Sequence, residues 1–395
     1  VAYEFSLEDV AFLTSDAGAQ ALRAASGLAL TDETLLSDLT RLRTPARGRP
    51  APVAETMRLR RRAGSRWGAG FSEWLFTDEA LQQASPPPVA GHRARRLAGH
   101  RVHDVTCSIG SDLAALAQQC PVAIGSDLDP VRLAMAAHNL AVSGLPVRLS
   151  RADALTATSR GTVRYADPAR RDDTGRRITS TSTIPSVADL DRVDPSAAPV
   201  LRLPPGIDYD ALARPGEIEI VSLDGVAREA VAWPPRFAEV SRRATVLRSD
   251  GGGYQVTSDE PDDASVTAAG DWIVDPDPAV VRAHLVRHYG FRHALSLLDP
   301  HLAYLTGPTP PPGIRAFRVR DAAPYRERTV SDWVRRDGVG TLEIKQRGTP
   351  VVPDDLRARI RPRGDRRVQR TLIIARVGSH AEAFWCEAVT PAPKT

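Results

Sequence analysis

Residues 101–129, RVHDVTCSIGSDLAALAQQCPVAIGSDLD, constrain the fold more than any other part of the chain. The apolar run around Val102 and Val105 reads as a buried parallel strand. Ser111 or Asp112 can cap a following helix whose apolar face carries Leu113, Leu116 and Ala117. VAIGSD then reads as a second strand. Gly110 sits at the turn, where the missing Cβ lets backbone N–H groups come close to a ligand. Asp127 ends the second strand, where a carboxylate can accept two hydrogen bonds from a ribose diol. The stretch is therefore half of a nucleotide-binding α/β unit.

It is not a dinucleotide fingerprint. Thr106 and Ser108 stand where G-x-G-x-x-G needs glycines, and they would crowd a pyrophosphate resting on the helix N-terminus. A ligand without phosphates tolerates them better. Downstream come Leu128-Asp129-Pro130, the helix VRLAMAAHNLAVSGL, and the strands VRLSRADAL and TVRYADPARR. Read from the residues alone, Asp129 is a helix N-cap before Pro130, Asp153 is a surface turn residue, and a purely structural strand-helix unit stays open.

The run Asp104, Thr106, Ser108, Gly110, with these strings in this order, resembles motif I and its successors in the class I S-adenosylmethionine-dependent methyltransferases. Those enzymes read D-x-G-x-G-x-G after the first strand, so two of three glycines are replaced here. The resemblance implies a Rossmann-like α/β core and S-adenosylmethionine as cofactor. It implies that Asp104 orients the methionine amino group, Asp127 takes the ribose hydroxyls and Asp153 faces the adenine amino group. Thr106, Ser108, Gly110, Leu128 and Ala154 would line the same cofactor, and Asp167-Pro168-Ala169-Arg170 would close the methyl-donor end.

Of the 395 residues, 42% are hydrophobic and 25% charged, which is enough for two or three cores and excludes a disordered chain. No window of about 18 uninterrupted apolar residues exists, and VAYEFSLEDVAF lacks the basic-then-apolar order of a signal peptide, so a cytoplasmic protein without a membrane partner is expected. Cys107, Cys120 and Cys386 are scattered, with neither disulfide nor zinc spacing. His284 and His288 fall one turn apart on a helix expected over 279–289. They lack the glutamate and third ligand of H-E-x-x-H, so no metal is expected.

Helical spacing in LEDVAFLTSDAGAQALRAA and DETLLSDLTRLR, with a helix start at Thr31-Asp32-Glu33-Thr34, marks an N-terminal helical domain over 1–96. Pro86-Pro87-Pro88 cannot continue a helix. The core and its connecting region then occupy 97–307. In it a polar loop from Asp172 to Pro199 is expected over the site, followed by the strand IEIVSLDG and a helix at AREAV. A hairpin ATVLRSDGGGYQVTS comes next, turning at Gly251-Gly252-Gly253. The run GPTPPPG at 307–313 reads as a linker to a small α/β domain over 314–395.

That last domain resembles the THUMP-like module found at the C-terminus of one family of class I methyltransferases. The resemblance is carried by TCSIGSDL, SDLDP, ADPARR, DPDPAVVRA, YLTG and LEIKQRG, and it covers nearly the whole chain. It implies an RNA substrate, tRNA or rRNA. Nearly all the positive charge is arginine, since only Lys345 and Lys394 are lysines, and arginine is the better phosphate fork. From Ile314 onward there are roughly 18 basic residues against 10 acidic ones. Lys345, Arg347, Arg357, Arg359, Arg361, Arg363, Arg366 and Arg367 form a cluster able to neutralise phosphates; exposed charge runs are also commonly solvated faces. Lys345, Arg347, Arg359 and Arg363 are the expected RNA contacts.

The acceptor chemistry rests on Asp167 and Arg170. In methyltransferases of base amino groups an aromatic residue follows [N/D]-P-P and stacks the flipped base; Arg170 stands there instead. The string is nearer the D-P-P-R of uracil C5 methyltransferases, whose cysteine nucleophile would fall at Leu223. Direct, non-covalent in-line transfer is the remaining expectation, with Asp167 positioning or deprotonating the acceptor and Arg170 holding a substrate phosphate or a neighbouring acid. Two alternatives stay open. One is a noncatalytic RNA-binding protein on a degenerate cofactor fold, and the other a methyltransferase for a protein or small molecule.

Overall fold

The computed structural model describes residues 3–169 and 183–389. The chain forms two compact units, Val1–Glu239 with Leu247–Gly252, and Val240–Val246 with Gly253–Thr395. No described helix is long and apolar enough to cross a membrane.

The first unit opens with α1 (Leu7–Leu13), α2 (Asp16–Ala25), α3 (Leu35–Leu42), α4 (Pro50–Trp67), α5 (Asp78–Gln83) and α6 (Pro87–Arg96). Ser6 and Asp9 close a capping box on α1, each satisfying the other's backbone N–H. The proline run ends one helix and starts the next. Pro87 is the first residue of α6, where its missing N–H would have had no helical partner anyway. The helices bury Leu22, Leu42, Leu59 and Trp74 in one apolar cluster with Leu113, Met135 and Leu140 of the core that follows.

That core runs β1 (Arg101–Asp104), α7 (Ser111–Gln119), β2 (Val122–Asp127), α8 (Pro130–Val142), β3 (Arg148–Arg151), β4 (Val163–Ala166), α9 (Val187–Arg192), β5 (Val200–Leu203), α10 (Tyr209–Leu212), β6 (Glu217–Leu223) and β7 (Val226–Trp233). Its strands follow the order β3-β2-β1-β4-β5-β7-β6. β3, β2, β1, β4 and β5 are parallel; β7 is antiparallel to both of its neighbours. This is the Rossmann-like α/β arrangement, and the strand order reverses between β1 and β4, where such sheets bind ligands.

Two local expectations are corrected here. AREAV is not helical but lies inside β7, because Asp224 (φ 51) and Gly225 (φ 75) turn the chain straight back from β6 in a hairpin that needs two left-handed residues. The helix α7 is capped by neither Ser111 nor Asp112. Gly110 takes the N-cap position at φ 85, and Asp112 is buried instead. The segment expected as a loop from Asp172 to Pro199 lies partly outside the described residues. Its described part contains α9.

The hairpin of β8 (Arg242–Leu247) and β9 (Gly253–Thr257) forms as expected, with Arg248 N–H donating to the Gly252 carbonyl at 3.0 Å. The second unit continues with β10 (Trp272–Val274), α11 (Pro278–Arg282), α12 (Val286–Arg292), β11 (Ser296–Leu297), β12 (Leu305–Gly307), β13 (Ala316–Pro324), α13 (Glu327–Arg336), β14 (Val339–Arg347), α14 (Pro353–Ile360), β15 (Asp365–Val377) and β16 (His380–Val389). The helix expected over 279–289 is broken at His284, whose φ of 58 is left-handed, so His284 and His288 do not share one helical face. A sheet of order β11-β12-β10-β13-β16-β15-β14 spans the unit, and the segment 307–313 joins two of its strands, β12 and β13. Alternation along β15 sends Leu372 and Ile374 to a core with Trp333 and Trp385, and Ile373 to one with Phe317 and Phe384.

Candidate active site

A cavity of about 530 Å³ opens at the carboxyl ends of β1, β2, β3 and β4. It is within the size range of small-molecule sites. Its wall takes Thr106, Ser108 and Ile109 from the loop after β1, Asp127 and Leu128 from the end of β2, Asp153 and Ala154 from the loop after β3, and Asp167 and Ala169 from the loop after β4. Every cofactor residue expected from the sequence lines it except Asp104 and Gly110.

Those two sit behind the wall. Asp104 is 1% exposed, and one carboxylate oxygen accepts from Thr106 N–H at 3.2 Å. Burial and the surrounding Asp112, Asp167 and Asp127 push its carboxyl well above the usual carboxylate range. Gly110 shapes the turn: a Cβ there would touch Ala136 at 3.4 Å, so its φ of 85 is what favours glycine.

The replaced glycines of the first loop have acquired partners. Thr106 Oγ1 accepts from Asp167 N–H at 2.7 Å, joining the loops after β1 and β4. Ser108 adopts φ 48, and its N–H donates to Asp127 Oδ2 at 2.8 Å. Asp127 Oδ1 accepts from Asp129 N–H at 2.9 Å, so this carboxylate ties the first loop to the start of α8. Asp129 caps α8 as expected, accepting from Val131 and Arg132 N–H. Asp153 accepts from Leu155 N–H at 2.9 Å, which makes it a turn residue as well as a cavity residue.

Sequence reasoning missed three contributors. Helix α5 supplies Glu79, Ala80 and Gln83 to the wall, with its C-cap Ala84, although it lies outside the α/β core. Arg132 of α8 also lines the cavity and pairs with Glu79 at 2.5 Å. Arg202 of β5 is buried and ion-pairs with Asp167, while donating to Glu229 at 3.1 Å and to the Gln83 carbonyl at 2.8 Å. These acids hold the Arg202 guanidinium above its ordinary value against the opposing effect of burial. Arg93 extends the network, pairing with Glu229 and with Asp112 at 2.6 Å; Asp112 in turn accepts from Tyr165 at 2.7 Å. No local pattern announces Arg202, since its partners lie 27 to 119 residues away. Arg170 lies outside the described residues.

The cavity suits a cation. Among the described residues Asp127, Asp153, Asp167 and Glu79 line it against Arg132, and no tight nest of glycine N–H groups is offered to a diphosphate. No cysteine lines it. Cys107 and Cys120 are buried, and burial pushes the Cys120 thiol up to about 11 and Cys107 well above its ordinary value. Leu223, where a uracil C5 methyltransferase would carry its cysteine, is buried.

In the second unit the expected RNA contacts divide. Lys345 and Arg347 both pair with Asp275, at 2.9 and 2.7 Å, and Arg359 pairs with Glu327 at 2.7 Å. Arg363 is exposed in the turn before β15.

Comparison with known proteins agrees with both units. Residues 314–388 match the THUMP domain-like family. Two curated relatives, from Mycobacterium tuberculosis strains CDC 1551 / Oshkosh and ATCC 25618 / H37Rv, are each named an uncharacterized S-adenosylmethionine-dependent methyltransferase. Each is 47% identical over 348 residues, covering 85% of this chain and 96% of the relative. The crystal structure of a candidate methyltransferase from Porphyromonas gingivalis W83 superposes with a TM-score of 0.73 at 20% identity, over 98% of this chain and 99% of that one, and has the same fold. With this identity over most of both chains, the protein belongs to the class I S-adenosylmethionine-dependent methyltransferase family with a C-terminal THUMP-like domain.

Proposed function

We propose that this protein methylates a nucleotide in RNA, tRNA or rRNA, by direct non-covalent transfer. The observation that carries the methyl-transfer part is the acid-walled cavity at the strand-order reversal, with Asp127, Asp153 and Asp167 on three successive loops. S-adenosylmethionine, when bound, supplies a methyl group already activated on a sulfonium. The protein's part is binding, orientation and exclusion of water. Asp127 would take the ribose hydroxyls with the lone pairs left over from Ser108 and Asp129 N–H. Asp153, Leu128 and Ala154 would hold the adenine end, and Thr106 and Ser108 the turn beneath the cofactor. Asp104 would meet the amino group from behind the first loop.

Asp167 would hold the acceptor. Its backbone is fixed by Thr106 and its carboxylate by Arg202, so the group is oriented before any acceptor arrives. The buried cysteines and Leu223 favour this route over a covalent thiol adduct. The RNA half of the proposal rests on the THUMP-like match and on the basic surplus of that domain. In this reading the helical segment 1–96 walls the cavity, the core 97–307 carries the chemistry, and 314–395 engages RNA.

Calorimetric titration with S-adenosylmethionine tests the first half. The wild type should bind, and Asp127→Ala should bind at least about tenfold more weakly, the scale of one charge-assisted hydrogen bond. A wild type that takes up no ligand ends the enzyme reading. Transfer of labelled methyl groups to bulk RNA lacking the modification tests the second half, and incorporation unchanged in Asp167→Ala removes that residue from the mechanism.

A further inference from the structure

The basic residues of the second unit fall into two groups that the sequence does not separate. Lys345, Arg347 and Arg359 are each held by a carboxylate, and Arg357 donates to Asp354 at 2.5 Å and to the Leu342 carbonyl at 3.1 Å. Arg361, Arg363, Arg366 and Arg367 are different. All four are exposed, Arg361 and Arg363 in the turn between α14 and β15 and Arg366 and Arg367 in the first residues of β15, and none of them pairs with an acid among the described residues. Asp365, the first residue of β15, is the acid beside them, and its carboxylate accepts from Arg367 N–H at 2.8 Å.

The turn is also held rigidly. Gly364 N–H donates to the Val339 carbonyl at 3.1 Å, and Thr341 Oγ1 donates to the Arg366 carbonyl at 3.0 Å. The two backbones approach so closely that a Cβ on Gly364 would lie 1.9 Å from the Gly338 carbonyl oxygen, and one on Gly340 would lie 2.4 Å from the Asp365 carbonyl carbon. Glycine at both positions is what permits the parallel pairing of Val339 with Asp365. Arg361 leaves α14 with a left-handed φ of 49 and donates its Nε to the Ala358 carbonyl at 3.2 Å. Arg367 then borders a hollow of about 530 Å³ in which Arg315 neutralises Glu343 at 2.7 Å.

We propose that this glycine-locked turn and the strand start that leaves it, with Arg361 and Arg363 in the turn and Arg366 and Arg367 on the two faces of the start of β15, form the edge on which the THUMP-like unit takes the phosphodiester backbone of RNA, and that Lys345, Arg347 and Arg359 serve the fold. The inference rests on the RNA reading above. A phosphate approaching Lys345 or Arg347 must first compete with Asp275, whereas one approaching the turn meets guanidinium forks with no carboxylate to displace. A turn already fixed also loses little entropy on binding.

Binding of the full-length protein to labelled bulk tRNA, followed by anisotropy over a range of KCl concentrations, tests this. Replacing the four arginines together by glutamine (R361Q, R363Q, R366Q, R367Q) should lower the slope of log K against log salt by about 3 and weaken binding at least about tenfold. S-adenosylmethionine binding and the melting temperature should not move, because these side chains are exposed. The double variant Arg359→Gln with Glu327→Gln, which removes a compensated pair, should bind as the wild type does. Gly364→Ala, which keeps all four charges but displaces the turn, should weaken RNA binding; if it binds normally, the rigid presentation is refuted. An unchanged slope in the quadruple variant overturns the assignment of the turn. A wild type with no affinity for RNA overturns the RNA reading itself.

Discussion

Ser108 sits at φ 48, a conformation that costs a residue with a Cβ about 1–2 kcal/mol. Thr106 incurs no such cost and accepts the Asp167 N–H. Restoring glycine should therefore have opposite effects at the two positions. Ser108→Gly should leave stability unchanged or raise it, whereas Thr106→Gly should lower it by about 1 kcal/mol and weaken S-adenosylmethionine binding, as chemical denaturation and calorimetry would show. Gly125 is less forgiving, since a Cβ there would lie 2.3 Å from Leu113 Cδ2, and Gly125→Ala should cost about 1–3 kcal/mol in the same measurement. His103, buried on β1, is bonded to Ser126 at 3.0 Å and Ser159 at 2.8 Å. Burial, and secondarily Arg164, lower its pKa from 6.5 to about 4. The unfolded chain thus takes up the proton first. This contribution to stability is complete above about pH 6.5 and is lost as the pH falls towards 4, by up to about 3 kcal/mol. Denaturation midpoints should drop between pH 7 and pH 5, and His103→Gln should flatten that dependence; equal slopes would rule the residue out.

At the scale of elements, α5 is the surprise. It is six residues long, started by Thr77 accepting from Ala80 N–H, and it forms part of the cavity wall through Glu79, Ala80 and Gln83, with the C-cap Ala84 beside them. Two polar contacts fix it: Arg132 with Glu79 at the exposed end, and Arg202 with the Gln83 carbonyl at the buried end. Glu79→Ala should cost under about 1 kcal/mol, as exposed pairs do, yet it should speed release of S-adenosylhomocysteine in stopped-flow displacement; an unaltered release rate would deny α5 a gating part. Arg202→Met removes a buried partner from both Asp167 and Glu229 and should cost on the order of 3–5 kcal/mol. The strand β7 shows why some elements resist reading. AREAV carries good helix formers, but the Asp224-Gly225 pair just before it was the stronger signal, because it commits the chain to a hairpin whose second strand is buried over its last five residues.

At the scale of the molecule, the proposed reading puts methyl-donor binding in the first unit and polyanion binding in the second. Asp127→Ala should therefore lose S-adenosylmethionine affinity while keeping the full salt-dependent affinity for RNA; joint loss would show that the two functions share one surface. The sequence by itself determined the α/β core, the cap Asp129, the turn glycine Gly110 and the place of Asp127 at the end of its strand. Each of these depends on neighbours within a few residues, where periodicity, capping and turn chemistry are written directly. Tertiary structure alone decided which charges are available. Lys345 and Arg347 look identical to Arg363 and Arg366 in a string of residues, but Asp275 reaches the first two from about 70 positions away, and the glycine-locked pairing of β14 with β15 leaves the others facing solvent. The same holds for Arg202 and α5. Ion pairing and burial act through space, and the separations that bring Arg202 to Asp167 and Gln83 carry no mark in local sequence.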